Sequence, residues 1–149
     1  MAWWSDLVDE EPDFARRVRA RFAVRKHGTM ATLRRDGSPR ISGTEFEFDA
    51  GDLRLGSMAG ALKAQDLRRD PRVALHCPSE DPPEDDPPGW AGDAKIAGIA
   101  HELPPGEDGS HRFRIELTEV VLTRVGTPAD HLVIESWHPG RGLRRRQRR

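Results

Sequence analysis

Apolar residues recur at every fourth position at Phe14, Val18 and Phe22, with charged side chains between them. That spacing gathers three apolar side chains on one helical face, so residues 10–25 read as an amphipathic helix. Glu10, Glu11 and Asp13 place negative charge at its start, Pro12 suits the first turn, and Gly28 marks the end. Past Gly28 the period falls to two. Residues 29–34, 40–48 and 53–57 read as strands, and in the second Phe46 and Phe48 alternate with Glu45 and Glu47. Asp36-Gly37 and Ala50-Gly51-Asp52 supply the turns of an antiparallel meander.

A short helix fits next, with Ser57 as candidate N-cap and Asp70-Pro71 as its stop. Residues 72–76 form a fourth strand. Residues 78–89 are acidic and proline-rich and predict a mobile surface loop, with Trp90 as an anchor at its far end. Residues 93–102 read as a fifth strand, in which Gly98 allows close packing. Residues 111–124 read as a long sixth strand. Its register is expected to shift at Thr118-Glu119, because Val120-Val121-Leu122 is apolar on both faces. Leu132-Val133-Ile134 is a last short apolar segment. The fold class is therefore mainly β: a six- to seven-stranded antiparallel barrel with an N-terminal helix and a short helix between strands 3 and 4. Residues 1–140 make one domain. Residues 141–149, with six arginines, read as a solvated tail, with RNA or an anionic ligand as alternative contacts.

Composition changes this picture in three ways. The chain has 149 residues, 36% apolar and 33% charged, enough for one core beneath a polar surface. Its net charge of −1 gives no global field toward nucleic acid or membrane, and no apolar run approaches the roughly 20 residues of a membrane helix. A single cysteine, Cys77, excludes an internal disulfide and suits a reducing cytoplasm, and residues 1–6 show no leader pattern. The 21 arginines follow from overall composition, whereas Lys26, Lys63 and Lys95 are the only lysines.

The histidines at 27, 76, 101, 111, 131 and 138 lack metal-ligand spacing, and no nucleophile elbow, Walker loop or dinucleotide fingerprint is present. Lys63 is the residue out of place. It falls in the first turns of the short helix, where the dipole disfavours a cation by about 0.3–1 kcal/mol. A lysine beside free backbone N–H groups suits an anion, phosphate above all; an ordinary solvated lysine is the alternative.

Gly37-Ser38-Pro39-Arg40-Ile41-Ser42-Gly43, Leu53-Arg54-Leu55-Gly56-Ser57-Met58, Lys63-Ala64-Gln65-Asp66-Leu67 and Asp70-Pro71-Arg72-Val73-Ala74-Leu75 occur in an order that resembles the pyridoxamine 5'-phosphate oxidase-like split-barrel family. The good match spans residues 27–77. The resemblance implies a homodimer that holds flavin mononucleotide (FMN) or the deazaflavin coenzyme F-420 in a groove between subunits. It implies an oxidoreductase passing a hydride to a small-molecule substrate; no membrane contact is expected, and an RNA-associated role through the arginine tail is a less favoured alternative. It aligns Arg40 beside the cofactor, with Ser42 and Thr44 further along, Ser57 and the adjacent Met58 at the flavin or its ribityl chain, and Lys63 at the phosphate. Trp137 or Trp90 would stack on the ring or pack in the core. Leu62 stands where the oxidase proper has a second arginine, and residues 135–140 differ from its substrate-gripping end. A non-catalytic flavin, deazaflavin or haem binder is the alternative function, with His76 or His138 as axial ligand.

Overall fold

The computed structural model describes residues 1–149. Its strands are β1 (His27–Leu33), β2 (Pro39–Asp49), β3 (Asp52–Ser57), β4 (Arg72–His76), β5 (Asp93–Leu103), β6 (His111–Val125), β7 (Leu132–His138) and β8 (Gly142–Arg148). They form one antiparallel sheet in the order β3-β2-β1-β4-β5-β6-β7-β8, and β3 also pairs with β6. The first six strands therefore close a barrel, and β7 and β8 extend the sheet beyond it.

The length of β6 makes this topology work. Residues 111–114 pair with β3 and residues 120–125 pair with β7, while β5 runs along the other edge. The register shifts where Ala97 faces Glu119 and Gly98 faces Leu117, leaving Thr118 as the extra residue. This is the expected shift. It lets Phe113, Ile115 and Leu117 point inward before the bulge, and Val120 and Leu122 after it. Gly98 sits at this point because a Cβ there would lie 2.1 Å from the Glu116 carbonyl oxygen.

The N-terminal region differs from the expected single helix. It forms α1 (Trp4–Glu10) and α2 (Pro12–Phe22), broken at Glu11 with φ −137°. Proline disfavours helical geometry in the residue before it, so Pro12 starts the second helix and forbids continuity with the first. Trp4 and Leu7 of α1 join Phe14, Val18 and Phe22 of α2 in the core. Gly28 does not end this helix; it lies within β1, where a Cβ would strike the Phe46 ring at 2.3 Å.

Three further expectations change. The helix α3 (Leu62–Arg69) is N-capped by Ala61, so Ser57 ends β3 and caps nothing. Residues 141–149 are not merely a solvated tail: β8 pairs with β7 along its whole length, and Leu143 packs against the core. The acidic segment is exposed over residues 79–86, yet Glu80 is held at both ends. Its carboxylate takes a bond from Arg21 Nη2 (2.6 Å) and its carbonyl one from Trp90 Nε1 (2.8 Å), the anchor expected of Trp90.

Candidate functional site

Alternation along β2 puts Arg40, Ser42, Thr44, Phe46 and Phe48 on one face. The two phenylalanines pack against the core and draw this face inward, so the polar residues before them line the inner side of the same strand. The end of β3 and the start of α3 approach this stretch. A groove of about 780 Å³ opens there, lined by Gly43, Thr44, Gly56, Ser57, Met58 and Lys63 together with Glu45, Glu47, Asp108 and Ser110.

Lys63 is the second residue of α3 and is half-buried. Its Nζ donates to the Gly43 carbonyl at 2.7 Å, which joins α3 to β2 and leaves two ammonium N–H groups unspent. No carboxylate pairs with it, and burial pushes its pKa below the ordinary lysine value. Next to it, Ser57 Oγ is buried without a hydrogen-bond partner. The free cation is the feature an anionic ligand in the groove would satisfy, and the unpartnered Ser57 hydroxyl, shielded beneath the surface, belongs to a residue of the same lining.

The turn that delivers α3 is itself fixed. Gly60 N–H donates to His111 Nε2 (3.0 Å), and Gln65 Nε2 donates to the Gly60 carbonyl (3.0 Å). Arg68 grips Glu102 on β5 with contacts of 2.6 and 3.0 Å. His111 and Glu102 help to position Lys63 but carry no local sequence signal, since their partners on the turn and on α3 are distant in the chain.

Of the residues expected at a cofactor, Thr44, Ser57, Met58 and Lys63 line the groove together. Arg40 and Ser42 share the strand face but stand outside the groove lining. Arg40 instead donates its Nε–H to Asp66 on α3 at 2.7 Å. Trp137 is a correction: it is 1% exposed and packs within the core, because β7 turns it inward opposite Leu143. His76 and His138 also lie away from the groove; His138 Nε2 contacts Glu119 Oε2 at 2.9 Å, and His76 Nδ1 contacts the Cys77 carbonyl at 2.6 Å. Asp108 and Ser110, which also line the groove, come from a segment that the sequence marks only as a turn.

The sequence matches the family model for pyridoxamine 5'-phosphate oxidase over residues 14–121. In three dimensions the chain resembles a pyridoxamine 5'-phosphate oxidase-related, FMN-binding protein from Nostoc punctiforme, with TM-score 0.67, 9% identity, and coverage of 97% of this chain and 99% of that one. It also resembles an F-420 reductase, with TM-score 0.51, 17% identity, and coverage of 67% and 92%. A third similar structure is HutZ, the haem storage protein from Vibrio cholerae, with TM-score 0.53, 14% identity, and coverage of 72% and 89%. No helix is long and apolar enough to cross a membrane.

Proposed function

Because the chain belongs to the pyridoxamine 5'-phosphate oxidase-like family of split barrels, we propose that it is a flavin- or deazaflavin-dependent oxidoreductase whose cofactor lies in the groove walled by Thr44, Ser57, Met58 and Lys63. The observation that carries this reading is the uncompensated Lys63 ammonium in the lining of that groove. Lys63 would hold the phosphate, helped by the positive end of α3. Ser57 Oγ and Thr44 Oγ1 would hold hydroxyl or ring polar atoms, and Met58, 82% exposed, would cover the ring. A bound FMN or F-420 supplies the hydride chemistry; the protein's part is to orient it, exclude water and admit a small-molecule substrate.

We assign the second wall of this site to another copy of the chain. Ile41, Met58 and Leu62 are 77%, 82% and 56% exposed, an unusual display of large apolar side chains beside a polar groove. Ile41 borders a shallow apolar depression with Ala31, Ala74 and Ala97, on a barrel face that a second copy would cover.

Titration of the purified full chain with FMN and with F-420, followed by absorbance and by sedimentation, tests both statements. Saturable binding of either coenzyme to a dimer is the expected result. A Soret band on adding haem, with neither coenzyme bound, would replace this reading with haem handling, the activity named for HutZ. A monomer that binds none of the three would remove both.

A further inference from the structure

A second cavity, of about 460 Å³, shares no lining residue with the first. Arg16, Arg17 and Arg21 of α2, Arg124 of β6 and Arg145 of β8 line it, and Trp90 adds to its wall. We propose that this cavity is a binding site for a small phosphate-bearing anion, distinct from the cofactor groove.

The buried carboxylate of Glu135 organises the cavity but does not use up its charge. Arg17 is spent on structure: its Nη1 and Nη2 clamp Glu135 at 2.9 and 2.7 Å, and its Nε bonds Asp13 at 3.0 Å. Arg124 bonds the same carboxylate through Nε at 3.1 Å, and Arg145 Nε approaches it at 3.3 Å. Their terminal Nη groups have no protein acceptor. Arg21 is 6% exposed, makes one contact to Glu80, and has a buried Nε–H with no acceptor at all. Arg16 bonds only the exposed Asp13.

Five guanidinium groups thus meet three carboxylates, those of Asp13, Glu80 and Glu135. The surplus is two positive charges, which a dianion would balance. Like charges gathered around a half-closed cavity repel one another, so the cluster is most stable with a counter-anion present. Guanidinium forks match phosphate oxygens in geometry and number better than any other basic side chain. The site is concave and of small-ligand size, which favours a compact phosphate compound over an extended polyanion lying across a surface. Trp90 has its indole N–H occupied by the Glu80 carbonyl, so it offers the ligand an apolar ring face.

Calorimetric titration of the full chain with inorganic pyrophosphate and with AMP tests the assignment, with tryptophan fluorescence as a local readout. Binding is expected to persist in Lys63→Ala, to weaken about tenfold or more in the Arg124→Gln, Arg145→Gln double variant, and to lose its fluorescence change in Trp90→Phe. Circular dichroism checks that the double variant folds. If it does not, Arg16→Glu, which alters only an exposed contact, should weaken binding by a similar factor. Tighter binding of AMP would place an organic group on Trp90, and tighter binding of pyrophosphate would make phosphate the whole determinant; either supports the site. The proposal is overturned if neither probe binds below about 1 mM, if Lys63→Ala abolishes binding, or if the arginine variants leave it unchanged. Binding of a single-stranded oligonucleotide that pyrophosphate cannot displace would also overturn it, and would make the cluster a polymer-binding surface.

Discussion

Arg40 on β2 donates its Nε–H to Asp66 on α3 at 2.7 Å, and this bond fixes the distance between the two elements that wall the groove. Asp66 is 3% exposed and also accepts from Thr32 Oγ1 (2.7 Å) and Arg69 Nη2 (3.0 Å). Its carboxylate is therefore matched on both oxygens, in line with the rule that a buried charge must be paired and hydrogen-bonded. Burial pushes its pKa up, but the Arg40, Thr32 and Arg69 bonds outweigh that and hold it below the ordinary aspartate value.

Removing the carboxylate should be costly. Asp66→Ala strands two arginines around an empty acceptor site and is expected to destabilise the fold by about 3 kcal/mol, the scale for breaking one side of a buried ion pair. Urea denaturation measures it. A loss below about 1 kcal/mol would mean that water replaces the carboxylate at no real cost.

Lys63→Ala should act on ligand affinity rather than on folding. The half-buried ammonium makes one protein hydrogen bond, to the Gly43 carbonyl, and no ion pair, so its loss should cost the cofactor-free chain less than it costs ligand affinity. The dissociation constant of FMN or F-420, whichever binds, should rise by roughly 10- to 150-fold, equal to about 1.5–3 kcal/mol for a charge-assisted bond. An unchanged constant would remove Lys63 from the phosphate site.

Glu135 predicts the acid limb of stability. It is fully buried; burial raises its pKa, but bonds from Arg17 and then Arg124 dominate and lower it from 4.5 to about 2. A folded pKa below the unfolded one means that the contribution is fully present above the unfolded value and fades as pH falls through the folded value. Stability should hold above pH 4.5 and decline between pH 4.5 and about 2. Thermal melts across that range should show a flatter decline for Glu135→Gln, which starts less stable but has no such proton to take up. Parallel curves for the two proteins would assign the acid limb to other carboxylates.

Gly98→Ala tests the bulge. Its Cβ would sit 2.1 Å from the Glu116 carbonyl oxygen and 2.9 Å from Ile115 Cγ2, both parts of the paired strand. Backbone there cannot swing aside without breaking the β5–β6 ladder, so a loss of about 1–3 kcal/mol or more is expected by chemical denaturation. A neutral variant would mean that the bulge can migrate along β6.

The period-two pattern through residues 29–57 made the meander readable, because each of those strands buries one face and pairs with its chain neighbour. Lys63 was readable for a similar reason: a cation in the first turn of α3 breaks a local electrostatic preference. The seven-residue α1 was not readable. Only Trp4 and Leu7 are buried on it, too few positions to establish a period. β8 was hidden by its charge. A run of arginines scores as solvated, yet Arg145 lies opposite Glu135, and Leu143 opposite Trp137, once β7 is in place.

What the sequence alone determined is what neighbouring residues decide between themselves: the strand and helix periods, the turn at Asp36-Gly37, the register shift after Leu117, and the misplaced lysine. What only the tertiary structure decided is which distant groups meet. Barrel closure through β3 and β6 sets Lys63 against Gly43 and leaves Ser57 Oγ without a partner. The pairing of β7 with β6 and β8 sends Trp137 into the core, and with α2 packed nearby it gathers Arg17, Arg124 and Arg145 on one buried glutamate. Burial and long-range charge pairing depend on the packed three-dimensional arrangement, and no local spacing encodes them.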